Sequence, residues 1–271
     1  MKKTWALLFE ANVMNQIRAI YASAVQQWKQ ITISGGNLSF HLTTIPMVAV
    51  FTWIAMQKSD PAVISYLLVG LPLMTVWSGV AFRIGYTLSN EISNQSLQFV
   101  YISRTPVILV SFGKALAQVV WGLPTGLLSL AVVYLMTRTA LQVADTGSFI
   151  VSLLLVIVGI AVASLFFSPL MVLVGGRGGF FNTLVPFGLV LSGFVFPVDR
   201  LPAVLHVLAR LMPTSWAMDA VQLSIQGGAF YALISSWGMC IVTSIGLSGI
   251  TYLMFRIVEQ RIRITGTHDF Y

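Results

Sequence analysis

SFIVSLLLVIVGIAVASLFFSPLMVLV, residues 148–174, runs 27 residues without a charged side chain. The run is continuous and lacks the inside/outside alternation over about 10 residues that a barrel strand requires. It exceeds the roughly 20 residues that a helix needs to cross a ~30 Å hydrocarbon layer. It therefore reads as a membrane-spanning helix. Outward from it, further apolar runs occupy 38–57, 62–82, 115–136, 180–198 and 229–255, so six spans are expected. Composition agrees: 57% of the 271 residues are hydrophobic, 8% are charged and the mean hydropathy is +0.87. A soluble domain has no core large enough for that much apolar surface, and the surplus has to face lipid.

An even number of spans places both termini on one side, and the basic residues decide which. Lys2, Lys3, Arg18, Lys29, Arg83, Arg104, Lys114, Arg177, Arg256, Arg261 and Arg263 fall on the termini's side, eleven of the fifteen bases, against Glu10, Glu91, Glu259 and Asp269. The other side holds Lys58, Arg138, Arg200 and Arg210, balanced by Asp60, Asp145, Asp199 and Asp219. The whole formal charge of +7 thus lies on one side. Both termini are expected in the cytoplasm, in a multi-pass protein of the cell (inner) membrane. The pI near 9.8 does not call for nucleic acid, since bases flanking spans need only anionic headgroups.

All eight acidic residues lie outside the apolar runs. A proton-coupled carrier keeps a carboxylate at mid-membrane, where its cost is tolerated for function. Sodium can be held by carbonyls and hydroxyls alone, so an ion- or proton-coupled secondary transporter stays as the alternative. A membrane-embedded enzyme is the weaker one. Ser129 and Ser164 sit in spans with no histidine pattern nearby, and packing through small side chains is the simpler reading. Cys240 is the single cysteine, and His41, His206 and His268 share no ligand spacing, so no metal site is expected. No G-x-x-x-x-G-K-[ST] phosphate loop occurs, so the chain itself is not expected to bind ATP through one, or to be an enzyme. After Met1-Lys2-Lys3, Glu10 ends the apolar run too early for a signal peptide, and the N-terminus is expected to be retained.

Between the spans lie three irregular stretches. In residues 4–31 the apolar Trp5, Phe9, Val13, Ile17, Ile20, Ala24, Trp28 and Ile31 share one arc, with Arg18 and Lys29 opposite and Gln16 and Gln27 intruding. That pattern suits a helix in the membrane interface, or one packed on the bundle. Gly35-Gly36 would turn the chain into the first span. Residues 89–106, SNEISNQSLQFVYISRTP, suggest a short polar helix capped by Ser89 or Asn90, with Glu91 at its positive end and Pro106 opening the next element. Such a segment invites a partner. Residues 196–228 are too polar for a span and too apolar for a solvated loop, and Pro213 divides them into two expected short helices dipping into the outer leaflet. Gly122 and Gly126 flank Pro124, which favours a kink over a dimer seam.

Read together, the second and third stretches resemble the permeases of the ABC type-2 exporter family. Glu91, Ser96-Leu97, Thr105-Pro106 and Gly113-Lys114 match that family's acidic residue, its Gly-Thr-Leu-Glu-like core, its Thr-Pro and its Gly-Lys, with Gln95 for the glycine and Gln98 for the glutamate. Ser192-Gly193-Phe194-Val195-Phe196-Pro197, then Leu201-Pro202 and Leu211-Met212-Pro213, look like its Ser-Gly-x-x-Phe-Pro stretch and re-entrant helices.

The resemblance implies an all-α membrane protein: an interfacial helix in 1–37, a six-span permease domain over 38–256 with a cytoplasmic coupling helix and an extracytoplasmic re-entrant pair, and a tail over 257–271. It implies two separate ATP-binding cassette ATPase subunits that bind the ATP and Mg, and a second permease chain, identical or homologous. Glu91, Ser96, Leu97, Gln98, Tyr101 and Arg104 would form the ATPase contact, and Pro197, Pro202 and Pro213 the outer gate. A hydrophobic or amphipathic drug, peptide or lipid would move outward. Phe51, Trp77 and Phe194, with Met47 and Met74, could line its path, although the same side chains serve equally in packing.

Overall fold

A computed structural model describes residues 2–33, 37–57, 61–94, 106–174 and 178–265. Among them there is no strand. The α-helices are α1 (Lys2–Ile33), α2 (Asn37–Gln57), α3 (Pro61–Ser93), α4 (Val107–Thr137), α5 (Thr146–Leu173), α6 (Gly178–Leu191), α7 (Ala203–Arg210), α8 (Pro213–Gln226) and α9 (Phe230–Thr265), with a 3-10 turn at Val198–Arg200. Four of them, within α3, α4, α5 and α9, are long and apolar enough to cross a membrane, and the apolar parts of α2 and α6 are shorter.

The centre of the bundle is α3, which packs along α4 and α5, while α8 fills the space between α5 and α9. Its position follows from its side chains. Leu71, Trp77, Val80, Ala81, Ile84 and Leu88 are all essentially sealed from solvent, so α3 is apolar and covered around most of its girth. By contrast α9 presents Ile241, Val242, Ile245, Leu253 and Ile257 outward, a surface that only lipid or another apolar chain can satisfy.

Four helix ends differ from the apolar runs. Helix α3 continues past residue 82 to Ser93, and α4 begins at Val107, well before 115. Hydropathy ends where polar residues appear, but the helical face does not: Ile84, Leu88 and Ile92 keep stepping four residues along the buried side. Helix α6 stops at Leu191 instead of running to 198, because Gly193 takes a left-handed φ of 72°. Helix α9 runs unbroken through 256 into Thr265. Gly35-Gly36 lies outside the described residues.

Along one flank α1 packs on α4. Ser23, Gln27 and Ile31, four residues apart, are buried, and the Gln27 amide donates to Gln118 at 3.4 Å. The intruding glutamine of the sequence pattern is thus a docking contact. Close approach needs Gly113, where a Cβ would collide with the Ile20 carbonyl and the Ser23 hydroxyl. Trp28 meets Trp121 edge-on at 4.9 Å. The adjoining strip of Met14, Ile17 and Tyr21 stays exposed. Gly122 and Gly126 face Val76 of α3, so this pair serves packing within the chain. Pro124 sits inside a helix that is continuous from Val107 to Thr137. The Ser164 hydroxyl donates back to the Ile160 carbonyl.

Asp145 caps α5, accepting from the backbone N–H of Gly147 at 3.1 Å and of Ser148 at 3.4 Å. The Ser148 hydroxyl, then these N–H groups, hold its carboxyl below the usual range. A lowered folded pKa stabilises above the unfolded value, and that stabilisation is lost as pH falls through the folded one. Acidification is therefore expected to speed hydrogen exchange over 146–149. In Asp145→Asn, which has no titrating group, this acid dependence should vanish; an unchanged profile would remove the cap's role.

Candidate functional site

Helices α3 and α4 flank residues 95–105, so that Ser96, Leu97, Gln98, Tyr101 and Arg104 lie outside the described residues. Ser89, Asn90 and Glu91 do not open a short helix as expected. They occupy the last turns of α3, and the Asn94 N–H donates to the Asn90 carbonyl at 2.9 Å. The reason is the buried series Ile84, Leu88 and Ile92, which holds this segment on the bundle and overrides the local capping preference. Pro106 sits at the N-cap of α4 as expected.

Glu91 ion-pairs with Lys114 across α3 and α4. Their side chains are only 12% and 5% exposed. The acidic residue read as a partner contact is thus turned into the bundle, and the Gly113-Lys114 dipeptide has two tasks. Gly113 admits α1, and Lys114 ties α4 to the end of α3.

Beside this pair a cavity of about 750 Å³ opens between α1, α3 and α4, lined by Gln27, Gln30, Arg83, Asn90, Glu91 and Lys114 among others. The sequence places Arg83 as a base flanking a span, and Lys114 both as such a base and in the Gly113-Lys114 pair of the family resemblance. Their convergence with the α1 glutamines is tertiary.

At the opposite end Ser192–Pro202 forms a compact turn. Gly193 supplies the left-handed residue, and its carbonyl accepts from the Tyr66 hydroxyl. Gly70 lies directly under the Phe194 carbonyl, where a Cβ would clash. Pro197 precedes the 3-10 turn, Pro202 precedes α7 and Pro213 begins α8, each with its fixed φ at a helix start where no N–H is missed.

The three prolines expected at a gate therefore set the corners of the α7–α8 pair. Arg210 clamps it, donating to Asp199 at 2.8 Å and to Asp219, lying 4.5 Å from the centre of the Trp216 ring, and accepting at its carbonyl from Trp216 Nε1 at 2.9 Å. His206 is 3.4 Å from Asp199. Burial pushes the Asp219 carboxyl up, against the pull of Arg210. This cluster was missed. Its signal in the sequence was four charged or titratable residues within a segment otherwise fit to enter lipid.

Of the expected path residues, Trp77 and Phe194 are fully buried, and the Trp77 ring centroid lies 5.8 Å from that of Phe167 and 6.5 Å from that of Phe194. In this conformation the indole packs between the other two rings, within the core. Phe51 is half-buried against the core. A separate apolar cavity of about 290 Å³ lies between α2, α3 and α6, bounded by Met47, Met74, Ser78, Phe82, Val185 and Leu189.

A helical bundle with four helices long and apolar enough to cross a membrane, and with further faces suited to lipid, defines a multi-pass membrane protein. The family model described as ABC-2 type transporter matches residues 15–226, and the chain belongs to that family. It is a transmembrane subunit of an ATP-binding cassette transporter, a class that pairs with ATP-binding cassette ATPase subunits. No curated protein matches the chain.

Proposed function

We propose that the chain is half of an exporter: six spans, α2, α3, α4, α5, α6 and α9, with both termini cytoplasmic, joined by a second permease chain and driven by two ATPase subunits that carry ATP and Mg. The exposed strip of α1 rests in the cytoplasmic interface, and the 89–104 stretch, now with its first turns inside α3, contacts the ATPase. The observation that supports this most is the buried Glu91–Lys114 pair, which joins the helices on both sides of segment 95–105. A push on that segment moves α3 and α4 together, and α3, near Met74, bears on the α2 and α6 faces around Met47 and Val185. ATP gains leverage because the partner binds two arrangements of the permease unequally. A hydrophobic or amphipathic cargo fits the apolar lining between α2, α3 and α6.

Leu97→Asp and Tyr101→Asp, reconstituted with an ATP-binding cassette ATPase that co-purifies with the wild-type chain, are expected to fold normally while transport per ATP hydrolysed falls at least tenfold, about 1.4 kcal/mol of lost coupling. Wild-type coupling in both variants would remove the docking role. Uphill transport that persists without hydrolysis and collapses with an ion gradient would sink the ATP-driven reading altogether.

A further inference from the structure

The cavity between α1, α3 and α4 is polar beside surfaces that are otherwise apolar. It holds two cations and one carboxylate, a net single positive charge. Lys114 is committed to Glu91, whereas among the described residues no carboxylate is paired with Arg83. The same cavity is lined by the amide side chains of Gln26, Gln30, Asn90 and Asn94, each with two N–H donors. A part-buried guanidinium that has no paired carboxylate among the described residues attracts an anion, and its planar fork together with amides from two helices suits a tetrahedral oxyanion. At about 750 Å³ the space exceeds a bare anion and accommodates an esterified one. Ile31 and Phe82 give it an apolar side, and α1, which forms one wall, exposes Met14, Ile17 and Tyr21 nearby.

We propose that this cavity is a phosphate site, occupied by the headgroup of an anionic lipid or by a free phosphate. It stands apart from the export reading, since it needs no assumption about cargo. Its lining reaches Asn94, just past the end of α3, so an occupant bridging α1 and α3 restrains the point from which segment 95–105 departs.

The test uses the full chain, purified and delipidated. Native mass spectrometry follows dioleoylphosphatidylglycerol against dioleoylphosphatidylcholine in one arm, and calorimetry follows inorganic phosphate in the other. Arg83→Gln is expected to weaken binding about tenfold, Gln30→Ala about threefold, and Arg83→Lys less than Arg83→Gln. Lys29→Gln, on the exposed flank of α1, should leave affinity unchanged. An Arg83-dependent loss confined to the lipid arm assigns a headgroup, and a loss in the phosphate arm assigns free phosphate. Equal binding by wild type, Arg83→Gln and Gln30→Ala in both arms overturns the proposal. So does an equal loss in Lys29→Gln, which would mean general surface charge. Should Arg83→Gln unfold, Arg83→Lys and Gln30→Ala carry the same comparison.

Discussion

Glu91→Ala is expected to cost about 3–5 kcal/mol of stability, the scale on which removing one partner of a buried ion pair leaves an uncompensated charge. Lys114 would be that charge: its side chain is 5% exposed, and no other carboxylate among the described residues is paired with it. Lys114→Met should cost a similar amount, by stranding Glu91. The double variant Glu91→Gln with Lys114→Met removes both charges together and is expected to recover most of the loss, since an apolar replacement of a buried pair is often close to neutral. Denaturant unfolding of the four proteins gives the coupling energy directly. If the single and double variants unfold at the same midpoint, the pair does not tie α3 to α4. Transport separates two roles of Glu91. A bracing role predicts that the double variant restores coupling along with stability; a direct contact with the ATPase predicts that stability returns alone.

Trp77→Ala should be as costly, about 3–5 kcal/mol, because it empties the centre of the bundle. The ring is fully buried, packs on Phe167 and Phe194, and donates through Nε1 to the Val185 carbonyl at 3.4 Å. Gly188 shows how tightly it is held: a Cβ there would lie 2.9 Å from the indole. Met47 provides the contrast. It lines the apolar cavity and is 40% exposed, so Met47→Ala should change stability by less than about 0.5 kcal/mol while altering cargo preference. Unfolding midpoints and competition between cargoes measure the two effects. A Trp77→Ala protein with wild-type stability and altered cargo selection would restore Trp77 to the transport path and refute its place in the core.

Apolar runs made most of the helices legible, because lipid imposes length and hydropathy on any segment that crosses it. The division of 196–228 into two short helices was legible too, through Pro202 and Pro213. What hydropathy could not show is where a helix continues after its lipid-facing stretch ends. The turns bearing Arg83 and Glu91 are polar in composition, yet they remain helical because Ile84, Leu88 and Ile92 are buried. The partner of Glu91 lies 23 residues away, a pairing no local window contains. The end of α6 was hidden for the opposite reason. Ser192 to Phe196 is apolar enough for a span, and only the left-handed backbone at Gly193 stops the helix. Trp77 and Phe194 illustrate a third limit: an aromatic side chain in a span looks the same whether it faces a cavity, lipid or two other rings.

With 14 residues, α6 rises only about 21 Å, against a hydrocarbon thickness of ~30 Å. In the proposed six-span arrangement roughly a third of the layer on that flank is left to the Gly193 turn and to α7 and α8, whose charged clamp would draw water toward the membrane interior. The low-dielectric barrier would then be thinned locally by the protein's own backbone. For a cargo advancing beside α6, as the export reading proposes, the free-energy barrier for polar groups would be set by a slab thinner than the surrounding bilayer.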